Sequence, residues 1–238
     1  MFFTSTRNPA LQISFEEALF QGLSKEGGLF LPEEIKPLNK QLISSLDKNS
    51  PFLDIATLLS EKLLAPELDS SSAKRICEKS FTFSPKITQV EDRISILELY
   101  HGPSCAFKDF GASFLASCME FFLEKKKRRS IILTATSGDT GSAVAQAFHK
   151  KKNIEVVILY PSGRVSPLQE KQLTSLGDNI TALEIDGSFD DCQRMVKEVF
   201  LNNKYKKSLP LTSANSINIG RLLPQSFYYF WAGLVYAK

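Results

Sequence analysis

Lys108 is the side chain in this sequence best placed to do covalent chemistry. It stands in the run Leu97-Glu-Leu-Tyr-His-Gly-Pro-Ser-Cys-Ala-Phe-Lys-Asp-Phe-Gly111, and from Ile94 to Leu123 there is no other lysine or arginine. A lysine flanked by Phe107 and Phe110 at the head of an apolar helix is poorly solvated. Desolvation lowers the pKa of an ammonium from its ordinary value of about 10.4. An amine that loses its proton near neutral pH attacks a carbonyl and forms a Schiff base. The competing reading is a lysine that packs its stem and reaches to water, or pairs with Asp109.

Three further segments carry groups suited to anions. In Thr134-Ala-Thr-Ser-Gly-Asp-Thr-Gly-Ser-Ala143, a predicted strand gives way to a helix. Small residues let backbone approach a ligand, and the free N–H groups of the helix start, with the Ser137 and Thr140 hydroxyls, suit a carboxylate or phosphate. The segment has neither the lysine of a nucleotide P-loop nor the dinucleotide glycine pattern, and it also reads as an ordinary capped glycine turn. Tyr160-Pro-Ser-Gly-Arg-Val-Ser-Pro167 again joins a strand to a helix, and its Pro and Gly also serve as plain turn residues. In Thr212-Ser-Ala-Asn-Ser-Ile-Asn-Ile-Gly-Arg221, hydroxyls, amides and one arginine meet after another strand, a set suited to a phosphate monoester. There too Ser213 or Asn215 has a simpler role as a helix cap. A reactive amine with three anion-competent loops is what a pyridoxal phosphate enzyme requires.

The elements that must position these groups divide the 238 residues into two parts. Residues 1–93 read as a small, mainly helical module. Ser14 and Glu17 form a capping box for a helix to about Leu23, ended by Gly27-Gly28, and further helices are predicted over Pro51–Leu64 and about Ser72–Lys79. Residues 94–238 read as α/β. In the Lys108 helix, Phe107, Phe110, Phe114, Leu115, Cys118, Phe121 and Phe122 fall at three- or four-residue intervals, which predicts one buried face. Strands are then expected at Ser130–Ala135, Glu155–Tyr160, Ile180–Ile185 and Leu209–Thr212, alternating with helices at Ser142–Lys150, Pro167–Ser175 and Asp190–Leu201. Successive strand–helix–strand units imply a parallel sheet flanked by helices.

Composition excludes several classes. A net charge of +3 argues against a nucleic-acid partner, and the basic run Lys125–Arg129 reads as a cationic helix end. Cys77, Cys105, Cys118 and Cys192 form no Cys-x-x-Cys pair and only His101 and His149 are present, so neither a metal centre nor a disulfide framework is expected. No charged-then-apolar leader opens the chain, and the apolar stretch Phe227–Ala237 is too short to span a bilayer, so no membrane association and a reduced cytoplasmic setting are expected.

The ordered set Ser5-Thr-Arg7, Ser14-Phe-Glu-Glu-Ala18, Gly27-Gly-Leu29, His101-Gly-Pro103, Phe107-Lys-Asp-Phe-Gly111, Thr136-Ser-Gly-Asp-Thr-Gly141, Pro161-Ser-Gly-Arg-Val-Ser-Pro167, Phe189-Asp-Asp-Cys192 and Ser213-Ala-Asn-Ser-Ile-Asn218 resembles threonine synthase over nearly the whole chain. The resemblance implies the tryptophan synthase β-like pyridoxal fold, pyridoxal 5'-phosphate as cofactor, and conversion of O-phospho-L-homoserine and water into L-threonine and phosphate. In that reading Lys108 is the Schiff-base anchor and the acid/base at the α and β carbons, and Phe107 and Asp139 lie at the cofactor. Ser137, Gly138 and Thr140 match the loop that faces the substrate carboxylate, and Asn215, Ser216 and Arg221 match the segment expected to hold the substrate phosphate. Many members of the wider superfamily carry Asn where Asp139 stands.

The family continues beyond a segment like Phe227–Lys238, and its glycine-rich cup for the cofactor phosphate lies in that continuation. The 238 residues are accordingly expected to be a fragment, with weak cofactor binding and little turnover unless a C-terminal complement of the same fold joins them. A related pyridoxal phospholyase that eliminates phosphate without adding water, and a non-catalytic remnant of the fold, stay open beside this reading.

Overall fold

Ser14 caps the first helix as its sequence predicts: its hydroxyl accepts from the Glu17 N–H, and the Glu17 carboxylate accepts from the Ser14 N–H. The computed structural model, which describes residues 1–236, sets this helix, α1 (Phe15–Gln21), among three short strands. These are β1 (Phe3–Ser5), β2 (Asn8–Ile13) and β3 (Phe30–Pro32), an antiparallel sheet in the order β2-β1-β3. Helices α2 (Lys40–Ser45), α3 (Phe52–Leu64) and α4 (Ser70–Ser80) follow, then the antiparallel hairpin of β4 (Lys86–Glu91) and β5 (Ile94–Glu98). The mainly helical reading of the first 93 residues leaves out these strands. Two of the first three span three residues each, too few for a period-two signature.

The remainder alternates as expected apart from the added short helix α9: α5 (Lys108–Lys126), β6 (Ser130–Ala135), α6 (Asp139–Phe148), β7 (Ile154–Pro161), α7 (Pro167–Thr174), β8 (Ile180–Ile185), α8 (Phe189–Leu201), α9 (Asn203–Ser208), β9 (Leu211–Thr212) and α10 (Ile219–Tyr236). The expected second part, 94–238, thus ends in two positions that lie outside the described residues, as does the end of the apolar stretch at Ala237. All four strands run parallel in the order β8-β7-β6-β9. Pleating sends alternate side chains to opposite faces. Ile132 of β6 joins the larger apolar core with Val144 and Phe148 of α6, whereas its neighbour Leu133 packs with Leu159 and Cys192 on the α8 face. Helices therefore cover both faces.

Helix α5 departs from the one-sided expectation. Ala112, Ala116 and Met119 are buried along with Phe110, Phe114 and Cys118, because α4, α6 and α10 all pack around it. A helix that is apolar all round is an interior helix. Phe107, expected in the buried stripe, is 44% exposed just ahead of the helix. The Phe110 ring sits 5.6 Å from Phe52, 4.8 Å from Phe83 and 5.3 Å from Tyr228, and Phe114 sits 5.5 Å from Phe227. These contacts join α3, α5 and α10 in one aromatic cluster. At Gly111 a Cβ would stand 2.8 Å from the Arg221 carbonyl, so glycine is what lets α5 and α10 approach.

Two ionic clusters fasten α5. Glu120 receives Lys79 Nζ at 2.9 Å, the Lys152 N–H at 3.0 Å and Lys151 Nζ at 3.4 Å. Burial raises the Glu120 pKa, and these cations and donors outweigh it, leaving the carboxyl below its ordinary value. The basic run closes α5 as expected, with Lys127 in the left-handed conformation, and Arg128 and Lys126 reach Glu16 at 2.6 and 2.7 Å.

Candidate active site

Each loop leaving the carboxyl end of a parallel strand contributes to one cavity of about 410 Å³. Ala135 to Thr140 come from the β6–α6 turn, Gln169 from α7, Phe189 and Gln193 from α8, Asn215 and Ser216 from the segment after β9, and Lys108 from the first turn of α5. In open parallel sheets ligands settle at the carboxyl edge, where strand order reverses. Here β7 and β8 lie to one side of β6 and β9 to the other, and the cavity stands at that reversal.

The β6–α6 turn is built around Thr136, which is 1% exposed. Its hydroxyl accepts from the Gly141 N–H at 2.8 Å and the Gly138 N–H at 3.1 Å. Gly138 takes φ 151°, and a Cβ there would stand 2.7 Å from Gln169 Nε2. Only glycine holds that conformation without strain. The N-cap residue of α6, Gly138, has no side chain to cap it, and the N–H groups of Asp139 and Thr140 donate to no protein acceptor among the described residues. They are the orphan donors of a helix start, directed by the macrodipole toward negative charge.

Lys108 Nζ lies 3.4 Å from Asp139 Oδ2 and 4.7 Å from the centre of the Phe107 ring, with its side chain 22% exposed. The ion pair is with Asp139, across the cavity, and not with the adjacent Asp109. Asp109 turns inward, where its carboxylate accepts from the Ser104 hydroxyl at 2.5 Å and the Ser104 N–H at 2.9 Å. Burial pushes its carboxyl above the ordinary range although Ser104 pulls the other way. Asp109 thereby folds the Gly102–Ala106 loop over the start of α5. A Cβ at Gly102 would meet its carboxylate.

Of the residues singled out in the sequence, Lys108, Ser137, Gly138, Asp139, Thr140, Asn215 and Ser216 line this one cavity. Phe107 and Arg221 do not. Phe107 touches the Lys108 ammonium from an exposed position, and Arg221 is 3% exposed behind the loop, donating through Nη1 to the Ala214 carbonyl at 3.0 Å. Burial lowers the Arg221 pKa to about 10, and among the described residues no carboxylate pairs with it. Asn218, fully buried, donates to the Leu19 carbonyl and accepts from the Gly220 N–H. The segment that carries Asn215 and Ser216 is thus pinned to α1.

Sequence reasoning missed Gln169, Phe189 and Gln193. Gln169 had a signal, as the third residue after Ser166 in a capping box, but that pattern announces a helix start and says nothing of a cavity. Phe189 and Gln193 reach the cavity only because α8 begins at the same sheet edge.

A parallel sheet with a lysine at the cavity and an anion-competent helix start at its carboxyl edge defines a class, and the comparisons agree: the chain belongs to the pyridoxal-phosphate dependent enzyme family, whose model matches residues 80–220. A model of the threonine synthase N terminus matches residues 2–81. Within that family the chain is similar to threonine synthases. It is 44% identical to the threonine synthase of Buchnera aphidicola subsp. Baizongia pistaciae over 228 residues, which are 95% of this chain and 53% of that protein. It is 45% identical to the Escherichia coli threonine synthase over 225 residues, covering 93% and 51%. The crystal structure of pyridoxal phosphate-bound threonine synthase from Brucella melitensis superposes with a TM-score of 0.92 at 37% identity, over 98% of this chain and 52% of that one. The chain spans about half the length of the curated relatives it matches.

Proposed function

We propose that this chain contributes the reacting amine and the substrate-facing loops of a threonine synthase, which converts O-phospho-L-homoserine and water into L-threonine and phosphate. The observation that carries the proposal is the convergence of Lys108 with the uncapped start of α6 and with Asn215 and Ser216 on one cavity. The residues present suit pyridoxal phosphate: a lysine amine opens onto the cavity, and Gly138 leaves room where a side chain would collide with Gln169. When bound, the cofactor supplies an electron sink for negative charge developing at the substrate carbons.

In this reading Lys108 Nζ is the attachment point for the cofactor aldehyde, and later the base and acid that takes and returns protons at the α and β carbons. Asp139, 3.4 Å away, orients the Lys108 side chain and would lie beside the cofactor. Phe107 shields one side of the amine. The Asp139 and Thr140 N–H groups, with the Ser137 and Thr140 hydroxyls and the open backbone at Gly138, receive the substrate carboxylate. Asn215 and Ser216 receive the phosphate, with Arg221 behind them as a buried cation that no carboxylate pairs with among the described residues.

The reading includes a division into a module over 1–93 and a catalytic portion over 94–238, and it takes a C-terminal complement of the same fold as a partner. The half-length coverage of the relatives and the exposed Tyr229 and Tyr236 on α10 support that partner. A cytoplasmic setting is supported by Cys105, an exposed cysteine left as a free thiol. No helix among the described residues is long and apolar enough to cross a membrane.

The test is direct. Pyridoxal phosphate is added to the chain, alone and with the C-terminal half of a relative, and the near-ultraviolet to visible spectrum is recorded before O-phospho-L-homoserine is supplied. A cofactor absorbance that Lys108→Ala abolishes, with threonine and phosphate released in equal amounts when the complement is present, supports the proposal. An absorbance indifferent to Lys108, or a keto acid in place of threonine, overturns it.

A further inference from the structure

The Gln169 side chain, at the cavity, bonds in two directions at once. Its Oε1 accepts from the Ser166 hydroxyl at 3.0 Å and the Ser166 N–H at 3.3 Å, closing the capping box of α7. Its Nε2 donates to Asp139 Oδ1 at 2.7 Å, while the other oxygen of the same carboxylate faces Lys108 Nζ at 3.4 Å. An amide bonded at both ends has little rotamer freedom left. Asp139 is half exposed, and the loop beside it turns at Gly138, where a Cβ would collide with the Gln169 amide. The chain of contacts therefore runs Ser166 to Gln169 to Asp139 to Lys108, across three elements.

We propose that Gln169 is a positioning residue for the reacting amine: it fixes the Asp139 carboxylate so that one oxygen is committed to the amide and the other stays turned to Lys108. This rests on the reading of Lys108 as the reacting group. It also accounts for Pro161–Pro167, the segment that the substrate roles leave unused. With Gly163 at φ 63° and the Ser162 hydroxyl bonded to Glu184, that loop delivers Ser166, and Ser166 sets Gln169.

The groups around the pair are few. Lys108 from α5 and Asp139 from α6 are the only charged side chains lining the cavity among the described residues; α7 adds Gln169, α8 adds Phe189 and Gln193, and the segment after β9 adds Asn215 and Ser216. Asp109 is turned to Ser104, and Asp191 at the start of α8 is taken by Ser188 and Arg194. A change at Gln169 that alters Lys108 must then act through Asp139 or through charge placed at position 169 itself.

The experiment uses the full chain without added cofactor. Trace labelling with acetic anhydride across a pH series, read peptide by peptide by mass spectrometry, gives the midpoint at which Lys108 becomes reactive, with exposed Lys48 as the internal reference. Gln169→Glu keeps the capping box, which accepts Glu as readily as Gln, but sets a second carboxylate beside Asp139. The Lys108 midpoint is expected to rise by about one pH unit, since added negative charge favours the ammonium. Gln169→Met removes the donor without adding charge. Its midpoint is expected to fall toward that of Asp139→Asn, and in an Asp139→Asn background Gln169→Met is expected to change nothing further, the mark of two residues acting as a unit.

Midpoints unchanged in both Gln169 variants, with far-ultraviolet circular dichroism intact, would overturn the proposal. So would loss of the fold in both, which would make Gln169 a structural cap and nothing more. Because no cofactor is present, failure here is separable from failure of the functional reading, which is decided by whether a Lys108-dependent cofactor absorbance forms.

Discussion

Lys108 and Phe110 are two residues apart on one helix and belong to two regions with opposite rules. Phe110 is completely buried among the rings of Phe52 from α3, Tyr228 from α10 and Phe83 from the loop after α4. Lys108 opens onto a cavity lined mostly by polar groups, and the Asp139 and Thr140 N–H groups there have no partner among the described residues. The first region holds its shape because close-packed side chains exclude alternatives. The second leaves the first N–H groups of α6 free of protein partners among the described residues, donors that a ligand can take up. The comparison shows how α5 works: thirteen buried residues anchor the helix so that its first residue can project an amine without being held there by packing of its own.

Substitutions should separate the two regions, beginning with the largest effect. Phe110→Ala leaves a void beneath the rings of Phe52, Phe81, Phe83 and Tyr228 and is expected to cost about 4 kcal/mol of unfolding free energy, measured in urea. If that cost falls below about 1 kcal/mol, the cluster is not what anchors α5. Glu120→Gln strips two lysines of their carboxylate partner and is expected to cost about 2 kcal/mol at neutral pH, less than a fully buried pair because Lys79 stays half exposed. Its pH dependence has a definite sign. The folded pKa of Glu120 lies below its ordinary value, so its contribution is present above the ordinary carboxylate range and fades as pH falls through the lowered value. Thermal melts of Glu120→Gln and the parent should therefore converge in acid, and a gap that widens on acidification would contradict the assignment.

On the cavity side, Thr136→Val removes the acceptor for the Gly138 and Gly141 N–H groups and is expected to cost about 1 kcal/mol while weakening cofactor uptake. Equilibrium unfolding and cofactor titration on one sample check both halves of that statement. Lys108→Ala stands at the small end for stability, within about 0.5 kcal/mol of the parent, because it removes only an ion pair with a half-exposed partner. Its loss of the cofactor absorbance should nonetheless be complete. Equal stability losses at Phe110 and Lys108 would dissolve the distinction between the regions.

Local signals explain what could be read in advance. Ser130–Ala135 and Ile180–Ile185 match the strands residue for residue, because apolar runs bounded by turn residues are a local pattern, and the Ser14 box was legible for the same reason. The start of α6 lies three residues earlier than its apolar pattern suggests, at Asp139, since polar Asp139 and Thr140 carry no periodicity. The one-faced reading of α5 failed because periodicity counts large apolar residues, and Ala112 and Ala116 are buried by neighbours that the helix itself does not encode.

The sequence by itself determined the alternation of helices and strands from α5 to α8, the parallel character of the sheet and the candidacy of Lys108, all of which follow from patterns within a few tens of residues. Tertiary structure alone decided which groups Lys108 meets. It pairs with Asp139, thirty-one residues away, and not with its neighbour Asp109, because Asp109 is drawn inward by Ser104 while the β6–α6 turn brings Asp139 to the same sheet edge. It also withdrew Arg221 behind the loop and put Gln169 in contact with Asp139. Side-chain partners across crossover connections depend on where strands lie side by side, and a linear pattern carries no distance between strands.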